Sequence, residues 1–450
     1  MSADVGALQT SVSGGLSLRS NFAWALTGNV MYAACQWGMI VALAKLGSTL
    51  MVGQFSLGLA IATPVLMFSN LHLRAVQATD ASRVFRFSDY LQLRLIMTLS
   101  AIAVIAGIVW FGHYESRTTL VILAIALAKA IEALSDIHYG LFQLNDRLDH
   151  TGRSMMLRGA AALVALSAAL YLTRNVVWGC LWVAVAWLAA LLFFDVRRGR
   201  ELLSPGRAAT VRERTTEPGG FQRHWRLIYL ALPLGVVTTI MSINLNMPRY
   251  YIQSQMGEHA LGIFSAMAYA TVAVTLVSDS LANSAIPRMS RLYAKGQTAE
   301  FRRLLFRLLV LGTILGLAGL AAAQLGGARL LTVVYSAEYA GQSRVFVLLM
   351  LAAAIHFVAS MLNCGITSAR CFTIQVPIFV LAAAGNALAC ARWIPTAGLL
   401  GGAMGVVAGA VVRLVLSAVV VAYLLWTPAR NIGGSVASWG QSSTASFKLI

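Results

Sequence analysis

Residues 398–426 read GLLGGAMGVVAGAVVRLVLSAVVVAYLLW, an apolar run whose only charged side chain is Arg413. A helix needs about 20 apolar residues to cross the ~30 Å hydrocarbon core of a bilayer, so this run is long enough to span a membrane. Similar runs recur along the whole chain of 450 residues, which is 58% hydrophobic and 11% charged. The sequence therefore predicts an all-α polytopic membrane protein.

Twelve such runs predict twelve transmembrane helices, and the loops between them differ in charge. Most of the 34 lysines and arginines fall on one side of the predicted membrane, with Arg94 and Arg158 assigned to loops on that side. Basic residues accumulate on the cytoplasmic side, so we expect both termini in the cytoplasm. The predicted spans are residues 20–45, 48–73, 91–112, 118–143, 154–172, 176–195, 227–252, 260–286, 303–325, 343–367, 372–392 and 398–426.

One long polar segment, residues 196–226, separates six spans from six. Its arginines are interspersed with Pro205, Pro218 and Gly219–Gly220, a composition typical of a linker. It either fixes topology alone or also contacts anionic headgroups. The predicted organisation is a cytoplasmic tail (1–19), a six-helix lobe (20–195), the basic linker (196–226), a second six-helix lobe (227–426) and a cytoplasmic tail (427–450).

Two short motifs occupy equivalent positions in the predicted lobes. Gly53-Gln54-Phe55-Ser56-Leu57 opens the second span, and Gly262-Ile263-Phe264-Ser265-Ala266 opens the eighth. Either the halves are duplicates or small residues match by chance at two helix starts; the shared position favours duplication. Parallel repeats are common in transporters, with the substrate path between them. We expect two six-helix lobes around a central cavity.

Charged and polar side chains within the spans are the candidates for function, because lipid penalises each charge by roughly 2.5–3.5 kcal/mol on insertion scales. In span seven, Ser242, Asn246, Arg249 and Gln253 share one helical face. This face either lines an aqueous interior, or Arg249 reaches the outer interface.

Span four carries Lys129, Glu132 and Asp136 on one face. They form either a self-neutralising network, a relay for protons or cations, or a contact to a charged substrate. Asp279 in span eight either binds a coupling cation or pairs with a buried arginine. Three cations in the spans then balance three carboxylates: Lys129, Arg249 and Arg413 against Glu132, Asp136 and Asp279.

Two uncharged polar stripes lie in spans one and ten, and they either line a cavity for hydroxyl-rich ligands or join helices by hydrogen bonds. They consist of Asn29, Tyr32 and Gln36, and of His356, Ser360, Asn363 and Thr367. The substrate-binding candidates are thus Arg249, Lys129, Arg413, Asn246, Asn29, Gln36 and Asn363, and the ion-coupling candidates are Asp279, Glu132 and Asp136.

The sequence contains no phosphate-binding loop, no HExxH motif and no cysteine–histidine spacing typical of a metal site. The longest predicted outer loop, about residues 326–342, is short for a membrane-embedded glycan polymerase. We therefore expect a transporter without cofactor, metal or catalytic residue. We also expect no nucleic-acid partner, because the net charge of +18 lies mostly in the loops between spans.

The chain resembles bacterial polysaccharide flippases of the multidrug/oligosaccharidyl-lipid/polysaccharide exporter superfamily over residues 20–426. The order and placement of several short motifs carry this resemblance. They are Asn29…Tyr32…Gln36, Gly47…Gly53-x-Phe55-Ser56-Leu57 with Pro64, Leu232-Pro233-Leu234-Gly235, Asn246-x-Pro248-Arg249-Tyr250, Gly257…Leu261-Gly262-Ile263-Phe264-Ser265 and Pro287-Arg288.

The resemblance implies a protein of the bacterial plasma (inner) membrane that moves undecaprenyl-diphosphate-linked repeat units outward by alternating access. The implied partners are the lipid-linked glycan, membrane lipids, a polysaccharide polymerase and a chain-length regulator. By type, the family's buried cations correspond to Arg249, and less specifically to Lys129 and Arg413. Two other hypotheses stay open: a cation-coupled multidrug exporter of the same fold, and an enzyme acting on lipid-linked sugars.

Overall fold

The computed structural model describes residues 16–80, 84–204, 221–371 and 373–426, which form helices joined by short turns and contain no strand. The all-α prediction is confirmed. In chain order the helices are α1 (Leu18–Leu46), α2 (Thr49–Asn70), α3 (Leu73–Thr79), α4 (Phe87–Phe111), α5 (Ser116–Leu144), α6 (Leu148–Thr173), α7 (Val176–Ala190), α8 (Val196–Leu203), α9 (Phe221–Ala270), α10 (Val272–Ala294), α11 (Thr298–Val334), α12 (Ala337–Ala340), α13 (Ser343–Ser368), α14 (Gln375–Ala397) and α15 (Leu399–Trp426).

Each of the twelve predicted spans falls on these helices. Within the described ranges, nine helical stretches are long and apolar enough to cross a membrane, and one of them, Gln222–Ala294, covers predicted spans seven and eight. Predicted spans one and four correspond to α1 and α5, which are not among these nine stretches. The expected outer loop at 326–342 was wrong over its first half, because α11 continues as helix to Val334.

Helix α9 bends at Gly257, where φ is 81° and ψ is −175°. Only glycine adopts this backbone conformation without steric cost, so the bend separates two helical arms at the point where the sequence predicts the turn between spans seven and eight.

The described chain forms two compact units. The first contains the residues up to Asn246 together with Gly257–Ala266, and the second contains Met247–Met256 and the residues from Met267 onward. Of the predicted 196–226 linker, only α8 and the start of α9 are described, and most of both tails lies outside the described ranges.

In the first unit, α5 packs against α2, α4 and α7, and α1 packs against α6. Buried Leu71, Tyr90 and Ile137 belong to an apolar cluster beside these contacts. In the second unit, α13 packs against α11, α10 and α15, around a core that includes Phe357 and Met361. Side chains from three or four helices therefore surround the inner face of α5 and of α13.

The two repeat motifs contact each other inside the first unit. A Cβ added at Gly53 would overlap the backbone of Glu258, and one added at Gly262 would overlap the backbone of Thr49. The absence of a side chain at both glycines lets α2 and the second arm of α9 approach at backbone distance. Thr118 lies beside this crossing, where its hydroxyl donates to the Glu258 carboxylate.

Candidate functional site

Glu132, on the inner face of α5, binds three side chains from two neighbouring helices and its own. Its Oε2 lies 2.7 Å from the Lys129 Nζ, one helical turn away. Its Oε1 accepts a 2.6 Å hydrogen bond from the Tyr32 hydroxyl on α1 and lies 3.5 Å from Nη2 of Arg158 on α6. One carboxylate therefore holds two cations and a phenol.

Asp136, one turn further along α5, also pairs with two cations. Its Oδ2 lies 3.2 Å from Nη2 of Arg94 on α4, and its Oδ1 lies 3.4 Å from Nη1 of Arg74 on α3. Arg94 additionally donates to the side-chain oxygen of Asn70 at the end of α2. Asp136 thus connects α3, α4 and α5 through charge-assisted contacts.

We call Arg74, Arg94, Lys129, Glu132, Asp136 and Arg158 the charge cluster. In it, four cations meet two carboxylates. The three-to-three balance predicted from the sequence counts both lobes and includes Asp279, whose side chain is outside the described residues, so that balance stays a prediction. The prediction that Arg94 and Arg158 lie in cytoplasmic loops was wrong, because both lie within helices, with exposed fractions of 0% and 1%, and contact carboxylates of α5. Both residues fall inside predicted spans, at 91–112 and 154–172, and this was the signal that the charge count overlooked.

A cavity of ≈ 540 Å³ opens beside the charge cluster within the first unit. Arg74 and Lys129 line it directly, whereas Arg94 and Arg158, which contact Asp136 and Glu132, are not among its lining residues. The polar lining consists of Thr63, Asn70, His72, Arg74, Lys129, Glu132, Asp136, Gln143 and Thr238.

Other predicted site residues of the first unit lie apart from this cluster. Asn29 is exposed and donates to the carbonyl of Ala25 at 2.7 Å. Gln36 is half-buried, and its Nε2 has no hydrogen-bond partner in the described part of the chain. Asn246 is buried and donates to the carbonyl of Ser242 at 2.9 Å. Of the predicted stripe in span one, Tyr32 is the member that joins the charge cluster.

The remaining candidates belong to the second unit. The Arg249 guanidinium lies 5.4 Å from the ring centroid of Tyr269, a cation–π contact. The Arg413 Nη1 lies 3.1 Å from Nδ1 of the His356 ring. The guanidinium carbon of Arg413 lies 5.0 Å from the ring centroid of Phe379. Asn363 is half-buried on the same helix as His356. The side chain of Asp279 lies outside the described part of the structure.

The fold of this chain is similar to that of known transporters. No family model matches the chain. An inward-facing multidrug resistance MATE family transporter of the MOP superfamily superposes with a TM-score of 0.64 at 13% identity, covering 91% of this chain and 95% of that structure. This chain has the fold of a MOP superfamily transporter. The predicted resemblance to the multidrug/oligosaccharidyl-lipid/polysaccharide exporter superfamily is confirmed at the level of the fold.

Two further comparisons extend the MOP likeness. A MOP superfamily transporter from Pyrococcus furiosus superposes with a TM-score of 0.58 at 15% identity, covering 90% of this chain and 95% of that structure. The binding pocket of that transporter is described as having reverse polarity. In sequence, this MOP-fold chain is 23% identical to the capsular polysaccharide biosynthesis protein CapF of Staphylococcus aureus over 347 residues, 77% of this chain and 84% of the relative.

Proposed function

We propose that this chain is a flippase that moves undecaprenyl-diphosphate-linked oligosaccharide repeat units across the bacterial plasma membrane by alternating access, for surface polysaccharide biosynthesis. The observation that carries the proposal is the excess of positive charge in the charge cluster, where four cations share two carboxylates. A diphosphate headgroup is the anionic part of such a substrate.

Arg94 and Arg158 are buried, whereas the side chains of Arg74 and Lys129 are 34% and 22% exposed. Charges separated from water interact strongly, and an uncompensated buried cation is costly. Within the charge cluster, Glu132 and Asp136 each neutralise one cation and leave one excess positive charge. Because Arg74 and Lys129 line the cavity, an anion bound there would contact them and complete the neutralisation. The planar guanidinium of Arg74 also suits bidentate contact with phosphate oxygens.

The cavity also carries neutral hydrogen-bonding groups suited to sugar hydroxyls, namely the side chains of Asn70, Gln143 and Thr238. The name of the S. aureus relative, a capsular polysaccharide biosynthesis protein, supports a glycan substrate. In this proposal Arg249, Asn246, Asn29, Gln36, Asn363 and Arg413 keep their expected roles as further substrate contacts.

The pairing geometry favours different roles for the acidic candidates. Glu132 and Asp136 hold cations in place, whereas Asp279 keeps its expected role in ion coupling. The membrane location follows from the predicted helices, and the proposed orientation has both termini in the cytoplasm, where most loop arginines lie. The proposed partners are the lipid-linked glycan, membrane lipids, a polysaccharide polymerase and a chain-length regulator.

The experiment is a glycan-export assay in a strain that depends on this chain. Arg74→Gln removes one cavity-lining charge but leaves Asp136 paired with Arg94, so the fold should persist. We expect glycan export to fall at least tenfold and lipid-linked repeat units to accumulate in the inner leaflet. Arg197→Gln is the matched control, because Arg197 is 77% exposed on α8 of the same unit. Normal export by Arg74→Gln at wild-type protein level would refute the role of the cluster.

The second function compatible with this fold is export of drugs, since several similar structures are multidrug transporters. A cavity for cationic drugs requires an excess of carboxylates, which is opposite to the charge cluster. Drug hypersensitivity of the deletion strain, with its surface glycan intact, would favour this second function over the first.

A further inference from the structure

Asp195, to which sequence reasoning assigned no role, lies in a distorted turn inside the first unit. Between α7 and α8 the helix widens into a π turn at Leu191–Asp195. The Asp195 side chain is fully buried, and neither carboxyl oxygen has a hydrogen-bond partner in the described ranges. Single π turns inside α-helices occur frequently at functional sites, because the extra residue redirects a side chain.

The groups that face Asp195 come from two helices. Helix α5 contributes Ser135, His138 and Tyr139, and α6 contributes Ser154 and Arg158; the Ser135 and Ser154 hydroxyls lie beside the Asp195 carboxyl group without completing a hydrogen bond to either oxygen. No cation of the described residues lies within ion-pairing distance of its carboxyl group, and Arg158 instead pairs with Glu132 at 3.5 Å. The Nδ1 of His138 donates to the carbonyl of Leu134 at 3.0 Å, which leaves Nε2 as the basic ring nitrogen.

A buried carboxylate without a hydrogen bond or ion pair is strongly unfavourable, whereas the neutral acid loses much less on burial. We infer that Asp195 is a proton-binding site and that it is a carboxylic acid in this arrangement of the helices. The ligand of Asp195 is a proton, whichever solute the protein carries.

Ionisation of Asp195 would act on the charge cluster through Arg158. The Arg158 Nη1 donates to the Tyr139 hydroxyl at 3.0 Å, but its Nε has no hydrogen-bond partner in the described structure. When the carboxyl O–H bond breaks and the proton leaves to water, the new carboxylate competes with Glu132 for this guanidinium. Proton release at Asp195 would therefore weaken the contact of Arg158 with Glu132 and leave Glu132 to Lys129 and Tyr32.

Infrared difference spectroscopy tests the proton directly. In purified full-length protein in lipid nanodiscs at neutral pH, we expect a carboxylic-acid C=O band that disappears in Asp195→Asn and shifts in Asp195→Glu. Asp149→Asn is the matched control, because Asp149 is equally buried but pairs with Arg147 at 2.9 Å and is therefore already ionised. No such band in the wild type, or a band of full intensity in Asp195→Asn, would overturn the inference.

A second measurement tests the movement of Arg158 and does not require comparison of export. The Arg158 guanidinium lies 4.9 Å from the Trp187 ring centroid, so its displacement should change the emission of this tryptophan. We expect a fluorescence change on raising the pH that is lost in both Trp187→Phe and Asp195→Asn and kept in Asp149→Asn. A pH response that persists unchanged in Asp195→Asn would show that Asp195 does not control Arg158.

Discussion

The two units hold the cations of their helices in different ways. In the first unit, four cations from α3, α4, α5 and α6 converge on two carboxylates of one helix, Glu132 and Asp136. In the second unit, Arg413 of α15 contacts the His356 ring of α13 and the Phe379 ring of α14. The four cations of the first unit thus share two carboxylates, whereas Arg413 of the second unit contacts the rings of His356 and Phe379. Removing one partner should therefore have unequal consequences in the two units.

The largest effect is expected for Glu132→Ala. This change leaves half-buried Lys129 and buried Arg158 without their common carboxylate, and removing the partner of a buried charge costs about 3–5 kcal/mol. Thermal unfolding in detergent should show a large loss of stability, whereas His356→Ala should lose less than half as much, because it removes a ring rather than the carboxylate that two cations share. Equal losses for the two variants would contradict the distinction between the units.

A smaller effect is expected where the repeat motifs cross. In Gly53→Ala, the new Cβ meets the Glu258 backbone, which cannot rotate away, so the cost should be about 1–3 kcal/mol. In the second unit, a Cβ at Gly385 meets only the Val412 side chain at 3.0 Å, so Gly385→Ala should be nearly neutral. Unfolding midpoints of both variants check this difference, and Gly107→Ala, with nothing within 4 Å, is the control.

Tyr32→Phe isolates one hydrogen bond of the charge cluster. The phenol donates to a charged acceptor that keeps two cations, so the loss should be about 1.5 kcal/mol. The same unfolding assay measures it. If the loss equals that of Glu132→Ala, the phenol rather than the cations accounts for the importance of Glu132.

The smallest effect is expected for Phe379→Leu in the second unit. A cation–π contact contributes about 0.5–1 kcal/mol when the cation is partly exposed, as Arg413 is, and leucine keeps most of the apolar contact of the buried Phe379. Phe379→Met is the control for the change of shape. A loss above that of Tyr32→Phe would mean that Arg413 depends on the ring as strongly as Arg158 and Lys129 depend on Glu132.

Much of the candidate site could be expected from spacing within single helices. The steps from Lys129 to Glu132 and to Asp136 predict one face of α5, and the structure places all three there. The partners of that face could not be predicted in the same way. Arg94 and Arg158 are distant in sequence and come from two other helices, and only the packing of α4 and α6 against α5 shows that they are buried.

By itself, the sequence determined the membrane class, the helical spans and the positions of the repeat motifs. These properties depend on local apolar length and periodicity, which each segment carries within itself. The tertiary structure decided which charges pair, that the cluster has more cations than carboxylates, that Asp195 is buried without a hydrogen bond, and that Gly53 and Gly262 lie at one helix crossing. Those properties depend on distances between segments far apart in the chain, because an ion pair or a close backbone approach exists only once several helices have packed together.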